Sequence, residues 1–167
     1  MGGYWAFEYM RQFSDQVEKL ILISTRPGVD SPEGKQKRLD MAKRVEEEGV
    51  GFMSEAMTPG LLGKTTLADK PEVKAQVSKW IDQAGPAGVV LAQRAMAVRR
   101  DQGDLLPLIH AKTLIVAGQE DALIPSSESV AMSEAIQGSQ LVLMEQVGHL
   151  APLEAPEKFQ KLLEEFL

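Results

Sequence analysis

Three short apolar runs restrict what this chain of 167 residues can fold into. Residues 17–24 centre on Leu20-Ile21-Leu22-Ile23, residues 113–117 read Thr-Leu-Ile-Val-Ala, and residues 141–144 read Leu-Val-Leu-Met. None of them alternates polar with apolar. A strand with one wet face does alternate, so short continuous runs predict strands covered on both faces, as in a parallel sheet flanked by helices. A helical stretch predicted around residues 127–136 separates the second run from the third and makes that part a βαβ unit. Helical spacing marks both ends of the chain as well. Tyr4, Trp5, Phe7, Met10 and Phe13 fall near it within residues 3–13. Behind Pro156, a favourable helix start, Phe159, Leu162, Leu163, Phe166 and Leu167 follow at i, i+3, i+4, i+7 and i+8.

Between Pro27 and about Leu106 the texture changes to helical patterns broken by Gly49 and Gly51, Pro59-Gly60, Pro71 and Gly85-Pro86, with no strand-like run. The expected organisation is therefore a core from residues 1–27 and 106–167, with residues 28–105 forming a helical insertion. Within the insertion Met41, Met53, Met57 and Met96 read as packing, because methionine fills irregular apolar gaps. Trp80 shares a helix face with Val73, Val77 and Ile81 and is also expected to pack.

Composition excludes several classes of function. The chain has no cysteine, so a disulfide framework, a thiolate metal site and a cysteine nucleophile are ruled out, and a reducing cytoplasm suits it. Its two histidines form no cluster with metal-ligand spacing, and neither a metal nor an organic cofactor is expected. Acidic residues outnumber basic ones by 24 to 18, for a net charge of −6. Lys35, Lys37, Arg38, Lys43 and Arg44 run straight into Glu46-Glu47-Glu48, the mark of a solvated helix face, not of a nucleic-acid footprint. No apolar run approaches membrane-spanning length, and the opening residues lack the pattern of a secretion signal. Ala6 stands where a myristoylation motif beginning at Gly2 requires serine or threonine, so lipidation is not expected.

The chemistry-bearing residues lie where the second and third strands end. Gly118-Gln119-Glu120-Asp121 follows one run and Gly148-His149 follows the other, which places Asp121 and His149 on loops at the carboxyl edge of a parallel sheet. Ligands and catalytic groups gather at that edge. These segments, with Pro125, Val147 and Leu153-Glu154-Ala155-Pro156-Glu157-Lys158-Phe159, are similar to the acid loop, histidine loop and closing helix of the α/β-hydrolase superfamily. Leu105-Leu106-Pro107-Leu108-Ile109 resembles the return from the helical cap in its lactonase-like and esterase-like members. The resemblance covers the whole chain. It implies a truncated α/β-hydrolase fold with residues 28–105 as its cap, His149 as general base and Asp121 as the residue that holds the imidazole tautomer. Met1-Gly2-Gly3-Tyr4 resembles the residues just after the family's serine nucleophile, which would place Met1 and Gly2 in the oxyanion region.

Two kinds of function follow from the resemblance. One is a weak or promiscuous hydrolase of small carboxylic esters or lactones that uses the His149–Asp121 pair, its nucleophile not evident. The other is a non-catalytic remnant, or one half of a split hydrolase that needs a partner chain. Ser24, ending the first strand at the same sheet edge, is the nearest surrogate nucleophile by topology, although a bond to the loop entering the cap is its ordinary role. The α-amine of Met1 is a further candidate nucleophile. Ser126, Ser127 and Ser129 are placed to cap a helix start, and His110 reads as a loop residue. Without the strand that precedes the family's serine, residues 17–24 form an open edge. That edge, with exposed surface from some of Tyr4, Trp5 and Phe7, predicts a homodimer.

Overall fold

The three apolar runs become one parallel sheet in a computed structural model that describes all 167 residues. Strands β1 (Lys19–Ile23), β2 (Lys112–Gly118) and β3 (Gln140–Met144) lie in the order β1-β2-β3, with Leu22 opposite Ile115 and Val116 opposite Val142. Helix α1 (Gly2–Phe13) precedes β1, α7 (Ser126–Ala135) joins β2 to β3, and a short α8 (Ala151–Glu154) leads into α9 (Pro156–Phe166). Only the central strand is buried along nearly its whole length, from Thr113 to Gly118, because it alone has a strand on each side and helices over both faces.

Each face of the sheet closes its own core. Phe7 and Met10 of α1 meet Leu22, Ile115, Met132 and Ile136 on one face, and Phe159 and Phe166 of α9 cover Leu114 and Val116 on the other. Full burial of side chains of this size stabilises by roughly 1.5–3 kcal/mol each. Phe7 is therefore core and not exposed surface, whereas Trp5 on the opposite side of α1 is 73 % exposed. The outer edge of β1 pairs with nothing in this chain. No helix is long and apolar enough to cross a membrane.

Residues 28–105, between β1 and β2, contain helices α2 (Pro32–Glu48), α3 (Met53–Leu61), α4 (Lys64–Asp69), α5 (Pro71–Asp82) and α6 (Pro86–Ala97), and no strand. Their own small core gathers Ala42, Val45, Met53 and Val90, with Met41 and Met57 against it. Met96 stands outside that cluster and receives the Arg38 Nη1–H at 3.3 Å. Trp80 does not take the packing role its spacing suggested. Val77 and Ile81 fill the inner side of α5 and leave Trp80 53 % exposed.

One carboxylate staples the two ends of the insertion. Asp30 accepts from Arg26 Nη2 at 2.8 Å, from Arg99 Nη1 at 2.7 Å and Nη2 at 2.9 Å, and from Arg38 Nε. Arg26 leaves β1, Arg38 lies on α2 and Arg99 follows α6, so the point of departure and the point of return share one partner. The Arg99 hydrogen bond, reinforced by Arg38, outweighs burial and holds the Asp30 carboxyl far below the usual carboxylate range.

Candidate active site

Asp121 and His149 meet above the carboxyl ends of β2 and β3. His149 Nδ1 lies 2.8 Å from Asp121 Oδ2, while Asp121 Oδ1 accepts the Leu123 and Ile124 N–H groups at 2.8 and 2.9 Å. The side chain of Asp121 is fully covered and that of His149 is 20 % exposed. Burial opposes ionisation of Asp121, but the hydrogen bonds from His149 and from the Ile124 and Leu123 amides prevail, and its pKa is lowered. An ionised carboxylate only accepts. Nδ1 must then carry the proton, which leaves the Nε2 lone pair of a neutral imidazole free to take one.

Backbone fit holds the two loops against each other. Gln119 N–H donates to Met144 O at 2.9 Å and Glu120 N–H to Val147 O at 2.8 Å, zipping the acid loop to the histidine loop. Glycine is required where they touch. A Cβ on Gly118 would come within 2.2 Å of the Val147 and Gly148 carbonyl oxygens, and one on Gly148 within 2.2 Å of Gly63 N. Val147 is itself buried, which anchors the histidine loop from below.

The other residues singled out by sequence are distributed less favourably. Ser24 lies just past β1 with φ 44°, a conformation costly for a residue with a Cβ, and its buried Oγ bonds neither His149 nor the loop that enters the insertion. Met1 and Gly2 open α1, and a Cβ on Gly3 would stand 2.2 Å from Thr25 Oγ1, so the start of α1 abuts the exit of β1. Burial, then the nearby guanidiniums of Arg38 and Arg99, lowers the pKa of the Met1 amino group. His110 is exposed beside the start of β2. The serines expected to cap α7 do not do so. Pro125 occupies the N-cap position, no side chain caps that helix, and Ser129 Oγ is buried without a partner. No group of three His, Asp or Glu side chains converges as a metal-ligand set.

Two carboxylates beside the pair escaped sequence reasoning. Glu154 is 1 % exposed and accepts three backbone N–H groups: Gly63 at 2.8 Å and Gly148 at 3.0 Å on Oε2, and Leu150 at 3.0 Å on Oε1. Glu120, next to Asp121, accepts Thr65 N–H and Thr65 Oγ1–H, both at 2.8 Å. The Thr65 amide is the largest influence on Glu120, and its carboxyl is held below the ordinary value. Only an acid placed between a helix end and a proline, in Leu153-Glu154-Ala155-Pro156, hinted at a buried role.

Comparison with known proteins identifies the fold. No family model matches. A thermophilic esterase from Thermogutta terrifontis has a solved structure that is similar at a TM-score of 0.95 and 42 % identity, over 98 % of this chain and 60 % of that one. An enol-lactonase from Burkholderia xenovorans LB400 shares the fold at a TM-score of 0.88 and 22 % identity, over 99 % of this chain and 62 % of that one. Among curated proteins, the AB hydrolase superfamily protein YisY of Bacillus subtilis (strain 168) is 28 % identical over 99 % of this chain and 63 % of its own length. The chain thus spans somewhat under two thirds of each of these three proteins.

Proposed function

This chain belongs to the α/β-hydrolase superfamily, and from that premise we propose that it hydrolyses small carboxylic esters or lactones through His149 and Asp121 in a cytoplasmic setting. The 2.8 Å contact between His149 Nδ1 and Asp121 Oδ2 carries the reading. His149 Nε2 takes the proton of the attacking hydroxyl, serine or water, as its oxygen bonds to the acyl carbon. The imidazolium, stabilised by Asp121, then returns that proton to the departing alkoxide as the acyl C–O bond breaks. Where the attacker is a serine, a water deprotonated by the same imidazole then adds to the acyl-serine, and the proton goes back to the serine oxygen as the acid is released. Residues 28–105 serve as the cap over this edge, with Met1 and Gly2 at the oxyanion region. Ser24 is the surrogate attacking group nearest by topology; its buried, unpaired Oγ argues for water instead.

Short-chain p-nitrophenyl esters and a small lactone test the reading, with the purified protein compared against His149→Ala and Asp121→Asn. A fall of roughly 10²-fold or more in kcat/KM is expected for His149→Ala, the usual worth of a general base, and a smaller one for Asp121→Asn. Equal rates for all three proteins would refute the assignment.

A second reading rests on the open β1 edge and on Trp5, 73 % exposed. Here the site is completed by a second polypeptide, either a copy of this chain across a two-fold axis or a partner that supplies further strands to the β1 edge. Light scattering separates the cases. A single species at 18.3 kDa excludes the dimer.

A further inference from the structure

We propose that Glu154 is the positioning residue for His149: its buried carboxylate accepts the amides of the residues before and after the histidine and fastens that loop to the Leu62–Gly63 corner of the helical insertion. The inference rests on the reading of His149 as a base oriented by Asp121, and it adds a residue that touches neither the imidazole nor a substrate.

The geometry carries it. The Gly148 and Leu150 amides flank His149 in sequence, and both donate to Glu154, at 3.0 Å each. With the 147–148 and 149–150 peptides both tied to one carboxylate, the short stretch that carries His149 is held at both ends, and its imidazole is kept within 2.8 Å of Asp121. The third donor, Gly63 N–H at 2.8 Å, comes from the corner between α3 and α4. That corner lies so close to Gly148 that neither glycine has room for a Cβ. Lys70 Nζ donates to the Glu154 carbonyl at 2.5 Å and brings a positive charge to the same corner. A carboxylate with three amide donors suits its place. Glutamine does not, because its NH₂ must face either the Leu150 amide or the Gly63 and Gly148 pair, which leaves buried donors opposed.

Glu120 supplies the control. It holds the same corner of the insertion through Thr65 but bonds no amide of the histidine loop. A merely structural role for Glu154 predicts that the two carboxylates behave alike.

The readout is the imidazole tautomer of His149, measured by long-range ¹H–¹⁵N correlation on the purified protein at a pH where the ring is neutral. Exposed His110 serves as reference, and His149→Ala assigns the signals. Wild type should hold His149 as the Nδ1–H tautomer. Glu154→Gln should lower the Nδ1–H to Nε2–H ratio about tenfold, the worth of one charge-assisted hydrogen bond, while Glu120→Gln leaves it at the wild-type value. Glu154→Asp, which keeps the charge but withdraws it by one methylene, should shift the ratio in the same direction by less. If neither Glu154 variant folds, hydrogen exchange in wild type decides. The Gly63, Gly148 and Leu150 amides should then exchange through the same opening as the His149 Nδ1–H. A tautomer ratio unchanged in Glu154→Gln, or an Nδ1–H that exchanges independently of those amides, overturns the proposal. A ratio that responds in a protein without esterase activity upholds the positioning role and removes the hydrolase reading instead.

Discussion

Asp30 and Glu154 both fasten the helical insertion to the sheet, one by side chains and the other by backbone. Asp30 gathers the guanidiniums of Arg26, Arg38 and Arg99, whereas Glu154 gathers the amides of Gly63, Gly148 and Leu150. Their side chain and residue are 6 % and 1 % exposed. The difference is mechanical. Guanidiniums sit on long side chains that can turn aside, so the Asp30 junction holds the ends of the insertion without fixing a peptide plane. Amide donors cannot move without moving the main chain, so the Glu154 junction hands its geometry to the residue between its donors, His149.

On this contrast Asp30 should matter most for stability and little for the geometry of the Asp121–His149 pair. Asp30→Ala leaves Arg38 and Arg99 crowded without their shared anion, and a loss of about 3–5 kcal/mol is expected, as for other broken buried ion pairs. For a chain of this size that is a fall of roughly 6–20 °C in Tm. The same junction governs acid sensitivity. The Asp30 and Asp121 carboxyls are both depressed in the folded state, so their stabilisation is complete above the unfolded value, near pH 4, and is lost as pH falls through the folded values. Thermal melts from pH 7 to pH 3 should show a steep acid decline in wild type and a shallower one in Asp30→Ala. A variant that melts within a degree of wild type, or that perturbs the His149 ring as Glu154→Gln does, breaks the division of labour.

A backbone junction should in turn be sensitive to one methyl group. In Gly148→Ala the new Cβ would stand 2.2 Å from Gly63 N, an atom that no rotamer change can clear. The cost should be about 1–3 kcal/mol from overpacking. Since the displaced peptide carries His149, ester hydrolysis should fall by more than the stability loss explains, which assays run well below the melting range would reveal. Activity equal to wild type would mean that the loop absorbs displacement and transmits none of it.

How far sequence went in locating these features follows the same line. The strands were legible because continuous apolar runs mark strands packed between helices, although only β2 is buried along nearly its whole length, and β1, β2 and β3 formed within one or two residues of the runs. Asp121 and His149 were singled out because each follows its strand directly and their order matches a family. The junctions were not legible. Arg26, Arg38 and Arg99 have no common spacing with Asp30, and the donors to Glu154 come from residues 63, 148 and 150. Only folding makes them neighbours. Trp80 went astray because periodicity assigns a residue to a face but does not reveal that Val77 and Ile81 suffice to fill it. The serines at the start of α7 failed as caps because Pro125 took the position from which a hydroxyl would act.

The smallest effect tests the other carboxylate at the corner of the insertion. Glu120 and Asp121 are consecutive acids on one loop, and the chain aims them apart: Asp121 at His149, and Glu120 at the first turn of α4. Glu120 accepts two hydrogen bonds from a single residue, Thr65, which is itself half-buried. Lys64 lies 4.0 Å away but is 86 % exposed, and such a pair contributes little in water. Glu120→Gln keeps an amide oxygen that can accept Thr65 N–H while its NH₂ turns towards Thr65 Oγ1, which accepts as readily as it donates. Bond number is conserved, and charge assistance is what disappears. The expected outcome is a small fall in Tm, less than that of Gly148→Ala, with esterase kinetics at the wild-type level. Because the Thr65 interactions depress this carboxyl too, the difference between variant and wild type should narrow as pH falls below about 4 and vanish once Glu120 is protonated in both folded and unfolded states. A loss of activity in Glu120→Gln at full stability would show that the acid loop also passes strain to Asp121, and the contrast between side-chain and backbone junctions would have to be redrawn around the insertion corner as a whole.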